Sequence, residues 1–325
     1  MLYSKDLVQS REKIVNIENT KYYHCVSRCV RRAFLCGEDS VTGKNYNYRR
    51  ELLEKSLYKL SRIFCIDIVS YSIMHNHYHT LLRIDKSKAE KASYRQILNR
   101  YKKIYQVGEV CEKFLARDKL TKDESLKVKE CVKKYRERLY SLSWFMKIIN
   151  ENISRRSNVE DGCKGSFWEG RFKSQPILDE KGLLACMAYI DLNPVRANIA
   201  KGIIDSDFTS IKQRLVKKYK AKGFMLPMLD EINGKDIAHI PFSLEEYIEL
   251  VEQTGKIVRH DKKGVLTQSI LLDKFNMKKN KWCQLVTNLQ NLFKSSIGTF
   301  KSITKSAEIS GYKLRVNVKN SSDFL

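Results

Sequence analysis

The chain predicts an α+β fold in which helices pack on an antiparallel sheet. Three observations point there. Two β-branched, apolar runs, CIDIVSYSIM and HYHTLLRI, follow each other within residues 65–84 with no room for a helix between them, which is hairpin order and not the alternating order of a parallel sheet. Apolar residues recur at three- and four-residue spacing over 48–64 and again over 138–157, the period of a helix with one buried face. The resulting order is strand, helix, strand, strand, long helix, strand, helix.

Taken in order, TKYYHCVSRCV (20–30) is short and rich in strand formers, and a loop of Gly, Asp and Asn follows it. Leu53, Leu57, Leu60 and Phe64 line one face of the first helix. The strand over 65–74 turns at Asn76 into the strand HYHTLLRI. Residues 86–137 change texture: they are dense in Lys and Glu, lack proline and hold one glycine, and they predict an exposed helical insertion, a solvated arm. Leu142, Phe145, Met146, Ile149 and Ile153 define the long helix over 138–157. After the turn-rich SNVEDGCKG come a short strand around FKSQPI and a helix that Asp179 caps and Pro194 stops. Beyond about residue 205 the signals are helical and basic, so the division expected is a domain over 1–205 and a mainly helical extension over 206–325.

Lys and Arg outnumber Asp and Glu 61 to 37, a formal charge of +24. Such an excess exceeds what solubility needs and points to a polyanion, nucleic acid first. Neither an apolar run of membrane-spanning length nor a secretory leader is present, so the chain reads as soluble and intracellular, without a membrane partner. The nine cysteines form no CxxC pair, which argues against a cysteine zinc site and for reduced, packed thiols.

Three of the six histidines, His75, His77 and His79, fall in YSIMHNHYHTLLRID. On a strand they share a face, with backbones spaced roughly 6.5–7 Å, so two imidazoles can converge on one cation. Solvated or hydrogen-bonded histidines would read the same way. Two imidazoles leave a cation under-ligated, and ACMAYIDLNPVRANI (185–199) supplies further polar groups. Tyr189 and Asn193 are four apart, about 40° from each other around a helix, away from the stripe of Leu183, Met187 and Ile190. A half-buried tyrosine beside an asparagine serving the helix end is the plain alternative.

Together these residues carry a family resemblance. His77-Tyr78-His79 resembles the HUH motif, and YIDLNPVRANI resembles the catalytic-helix signature of single-tyrosine insertion-sequence transposases, above all the REP-associated tyrosine transposase branch. YYHCVSRCVRRAFLCGED and GSFWEGRFKSQPILDEKGLLACMAYIDLNPVRA match further, so the likeness runs over roughly residues 15–205 around the insertion. It implies a ferredoxin-like αβ core with an antiparallel sheet, His77, His79 and Asn193 as ligands of Mg²⁺ or Mn²⁺, and Tyr189 as nucleophile. His75 departs from the family, which has a small residue or proline there, and is not counted as a ligand.

The chemistry implied is cleavage of single-stranded, hairpin-forming DNA through a 5′-phosphotyrosine with a free 3′-OH, which a second 3′-OH can reverse as strand transfer. Such a protein would be cytoplasmic and nucleoid-associated, acting as a monomer or homodimer. Candidate DNA contacts are Arg28, Arg31, Arg32, Arg155, Arg156, Trp168, Arg171, Lys173 and Arg196, with cations for phosphates and the aromatics of FWEGRFKS for base stacking unless the rings are core. Two other readings stay open: a hairpin-binding regulator that has lost catalysis, and a metal hydrolase that uses water and not Tyr189.

Overall fold

A computed structural model of the protein describes residues 15–30, 36–37, 43, 45–216, 225–234, 236–259, 266, 269–310 and 322–325. The fold is α+β. Its sheet comprises β1 (Tyr22–Arg28), β2 (Ile66–Ile73), β3 (His77–Ile84) and β4 (Lys173–Ile177), in the order β2-β3-β1-β4 with every neighbour antiparallel. Helix α1 (Tyr48–Ile63) links β1 to β2, and α6 (Leu142–Glu160) precedes β4. This is the split β-α-β-β-α-β arrangement of ferredoxin-like folds. Between β3 and α6 lie α2 (Lys86–Lys91), α3 (Tyr94–Lys102), α4 (Glu109–Ala116) and α5 (Lys122–Leu139). After β4 come α7 (Glu180–Asp191), α8 (Asn193–Arg196), α9 (Ser210–Val216), α10 (Leu244–Val258), α11 (Ile270–Lys274), α12 (Lys279–Leu292) and α13 (Phe300–Ser310).

Strand alternation gives the sheet two unlike faces. One is apolar: Tyr23, Cys25, Tyr78 and Leu82 pack with Leu53 and Leu57 of α1 and with Phe145, Met146 and Ile149 of α6. Tyr78 donates to Asn150 Oδ1 of α6 at 2.6 Å. The opposite face is mixed. Leu81, Ile177 and Val69, which a register slip between Ile68 and Ser70 turns that way, pack on Leu183, Leu184 and Met187 of α7. His24, His77 and His79 alternate onto this second face.

The insertion differs from the expected solvated arm. Ile97, Leu98 and Tyr101 of α3, Cys111 of α4 and Val128 and Val132 of α5 join the same core as α1 and α6. Arg100 donates to the carbonyl of Ile63 at 2.9 Å, closing the end of α1. The charged residues that dominate its composition sit on the outer faces of amphipathic helices, and the fewer apolar residues are enough to dock them.

Asp179 caps α7 as read, its side chain accepting from Gly182 N at 2.8 Å. The helix end differs from the expected stop at Pro194: α7 finishes at Asp191, and Pro194 lies in the first turn of α8, where its missing N–H removes no bond. The whole of Gly182–Asp191 is buried, because α7 is covered by the sheet on one side and by α10 and α12 on the other. Trp282, Leu285 and Leu289 of α12 and Tyr247 and Leu250 of α10 share its core. Residues 293–299 lie along β4: Ile297 N donates to the Pro176 carbonyl at 3.0 Å, Leu178 N to the Ile297 carbonyl at 2.8 Å, and Asp179 also accepts from Thr299 N at 2.6 Å. Residues on both sides of position 205 thus build one core.

Asp191 locks this assembly. It is fully buried, and accepts from Ser210 Oγ at 2.5 Å, Ile211 N at 3.0 Å and Tyr247 OH at 2.6 Å. Asp191→Ala would strand the buried donors Ile211 N and Tyr247 OH, while Ser210 Oγ could turn to Ser70 Oγ at 2.9 Å. It is expected to lower unfolding stability by about 3 kcal/mol, measured by urea unfolding; a loss below about 1 kcal/mol would show that the network contributes little.

Candidate functional site

The site forms where the second sheet face meets α7 and α8. The register places His79 opposite Val26, His77 opposite Arg28 and His24 beside Gln175. His77 and His79 have ring centroids 4.9 Å apart, and the His79 ring meets Tyr189 edge-on at 5.7 Å. His24 stacks on His79 at 5.1 Å and lies 6.1 Å from the Tyr189 ring. On Tyr189 rests the guanidinium of Arg196, 4.3 Å from the ring centroid, held by donation from Nη2 to the Thr287 carbonyl of α12 at 2.8 Å. His77, His79, Tyr189 and Arg196, from two separate stretches of chain, thus come together. His75 lies in the β2–β3 turn against Gly37, apart from the ring cluster.

Burial sets the protonation of the imidazoles. Desolvation, aided by the positive charge of Arg28, pulls His77 down to about 4. Desolvation also pulls His24 down to about 4, with Gln175 working against it. His79 is pushed well below the ordinary value by burial, then by His24 and His77. All three are neutral at pH 7, each with a lone pair to offer. Tyr189, 5% exposed, is raised by desolvation, while Arg196 and then Arg28 pull the other way. A guanidinium over the ring favours the phenolate form.

The donor set fits a hard or borderline divalent cation. His77 Nδ1 donates to Asn76 Oδ1 at 2.6 Å, which leaves the lone pair on its Nε2. His79 Nε2 is buried and finds no hydrogen-bond partner among the described residues, nor does Asn193 Nδ2, so the Asn193 amide is incompletely satisfied in a buried setting. Buried polar atoms are seldom left so; the open Nε2 lone pair of His79 could take a cation, whereas the Asn193 NH2 is a donor, and that residue could serve a cation only through Oδ1. Among the described residues no group of three or more His, Cys, Asp or Glu is arranged to hold a metal. A cation here would therefore need a third ligand besides the two imidazoles, the part expected of the Asn193 amide oxygen, and that neutral set would suit Mn²⁺ or Mg²⁺.

The candidate DNA contacts separate into groups. Arg28 and Lys173 are exposed at the end of the sheet where β3 begins with His77, and Arg171 is exposed two residues before Lys173. Arg155 and Arg156 are exposed on α6, Arg155 paired with Glu151. Arg31 and Arg32 lie outside the described residues. Trp168 is corrected: it is 7% exposed, donates Nε1–H to the Asn150 carbonyl at 2.9 Å and packs on Phe167 and Tyr78. Phe167 and Phe172 are buried too, so the rings of FWEGRFKS are core while its charged residues Glu169, Arg171 and Lys173 are exposed. His24 and Gln175 escaped the sequence reading. His24 follows the same two-residue alternation as Arg28, but only strand register reveals what it faces.

No family model and no curated protein matches the chain. A solved structure of a REP-associated tyrosine transposase bound to a REP hairpin is similar at 13% identity, covering 69% of this chain and 93% of that one, with a TM-score of 0.31. No helix among the described residues is long and apolar enough to cross a membrane.

A pH effect follows from the buried imidazoles. An unfolded histidine titrates near 6.5, whereas His24 and His77 do so at about 4 when folded, so the unfolded chain binds more protons between those values. Their contribution is complete above about pH 6.5 and is lost as pH falls towards 4. The urea midpoint should drop across that window, less steeply in His24→Gln; an equal slope in both proteins would remove His24 from the account.

Proposed function

We propose that the protein cleaves and rejoins single-stranded, hairpin-forming DNA, with Tyr189 as nucleophile. The observation that carries this is the placement of Tyr189 against His79, beside His77 and beneath the Arg196 guanidinium. A phenol, neutral imidazoles and fixed cations in one partly dry site form a set suited to attack on an anionic diester. A water-based hydrolase has no need of a tyrosine so placed.

The residues divide the work. The phenolate Oη of Tyr189 attacks phosphorus; a P–O bond to tyrosine forms as the P–O bond to the 3′ oxygen breaks, and that oxygen leaves to become a 3′-OH. A 3′-OH attacking the phosphotyrosine reverses the exchange and restores the phenol, so joining needs no added energy source. Arg196, held by the Thr287 carbonyl, favours the phenolate and stands ready for the negative charge that builds on phosphate. His77, His79 and Asn193 would hold Mg²⁺ or Mn²⁺, which when bound supplies a Lewis acid for a non-bridging phosphate oxygen. Arg28, Arg171 and Lys173, exposed at the mouth, suit the DNA backbone. The chain's formal charge of +24 agrees with such a partner.

The test is a labelled single-stranded hairpin incubated with the protein and Mn²⁺ or Mg²⁺, then resolved on a denaturing gel. A metal-dependent protein–DNA adduct is expected, absent in Tyr189→Phe and in His77→Ala. Arg196→Ala should slow adduct formation by roughly 10²-fold. Cleavage that survives in Tyr189→Phe would replace the tyrosine mechanism with a water-based one. Tight hairpin binding without cleavage on several hairpins would identify a binding protein.

A further inference from the structure

His79 has two ring nitrogens in different situations. Nδ1 shares a hydrogen bond of 2.9 Å with Nε2 of His24, and Nε2 is buried without a partner among the described residues. One proton lies between the two rings, and its owner decides what His79 shows the site. If His24 owned it, His79 Nδ1 would accept and His79 Nε2 would carry the ring's proton, a buried N–H with no acceptor. Orphaned buried N–H groups are rarer than unfilled lone pairs. If His79 owns it, Nε2 is a bare lone pair pointing away from His24.

His24 is itself constrained from the far side. It faces Gln175 across the β1–β4 pair. The Gln175 side chain works against the desolvation that lowers His24, and its amide oxygen, with Nε2 committed elsewhere, would accept an imidazole N–H. The amide of Gln175 is oriented in turn by donation from Nε2 to the Phe293 carbonyl at 2.5 Å, and Phe293 closes the C-terminal end of α12. With His24 Nδ1 protonated towards Gln175, its Nε2 must accept, because a neutral imidazole carries one proton.

We infer that Phe293, Gln175 and His24 form a relay that keeps the proton on Nδ1 of His79 and presents its bare Nε2 to the site. His24 is a positioning residue, neither a ligand nor a base. Both of its nitrogens are engaged, which explains how it sits beside His77 and His79 without completing a three-histidine set. The relay also gives the C-terminal helices a part in the chemistry, since the carbonyl of the residue that caps α12 orients the amide that sets the tautomer. Ligand histidines are generally oriented through the second nitrogen by a carboxylate, a carbonyl or water; here an imidazole does so without adding charge to a buried face. The use of the Nε2 lone pair rests on the cation site proposed above; the placement of the proton does not.

The test joins imidazole ¹⁵N–¹H NMR on metal-free protein to Mn²⁺ titration followed by electron paramagnetic resonance. In the wild type His79 should be protonated at Nδ1. In His24→Phe, which keeps a ring but cannot accept, His79 should lose that single form and Mn²⁺ affinity should fall 10- to 100-fold; His24→Gln, whose amide oxygen can accept, should recover most of both. A wild-type His79 protonated at Nε2 would overturn the relay, and that result needs no variant to fold. So would His24→Phe with an unchanged His79 pattern and unchanged affinity. Nδ1 protonation in a wild type that binds no Mn²⁺ would uphold the relay and overturn the cation site.

Discussion

Helix α7 is held between the mixed face of the sheet and the helices of the C-terminal third, and the geometry of the site depends on that packing. Its apolar side chains point both ways, towards Leu81 and Ile177 and towards Trp282 and Leu285. Each large side chain so buried contributes about 1.5–3 kcal/mol. The phenol of Tyr189 has little freedom left, with imidazoles on one side and Arg196 on another. Asp191, two residues on, ties the helix end to α9 and α10. A side chain fixed by so well packed a helix needs little reordering before it acts.

The same burial explains the electrostatics. A sheet face carrying three histidines would hold positive charge in open solvent at low pH. Under α7 they are driven neutral instead, and lone pairs, not protons, face the interior. Positive charge is left to arginines, whose guanidinium resists deprotonation. Neutral donors and permanent cations thus occupy one small volume without competing for protons.

The C-terminal third is more than an appendage to this site. It supplies the Thr287 carbonyl that holds Arg196, the Phe293 carbonyl that orients Gln175, and a segment along β4 that shares the cap of α7 through Thr299. The insertion plays the corresponding role on the opposite face, extending the core under α1 and α6. Among the described residues neither element adds a side chain to the ring cluster; both pack against the elements that carry it.

What the sequence determined by itself was local. Two-residue alternation marked His77–Ile84 as a strand with His77 and His79 on one side, and three- and four-residue spacing marked α1 and α6. Asp179 announced the start of α7, whereas Tyr189 and Asn193, expected on one helix, fall on α7 and α8. Those features repeat within a turn or a pleat, so neighbouring residues encode them. Tertiary structure decided which faces meet. His24 became a neighbour of His79 only through the β1–β3 register, Gln175 only through β1–β4, and the charged insertion proved to be docked because its few apolar residues find α1 and α6. Trp168 left the DNA-facing set because Tyr78 and the Asn150 carbonyl enclose it. Pairing across strands and burial between elements join residues far apart in the chain, and no local period records them.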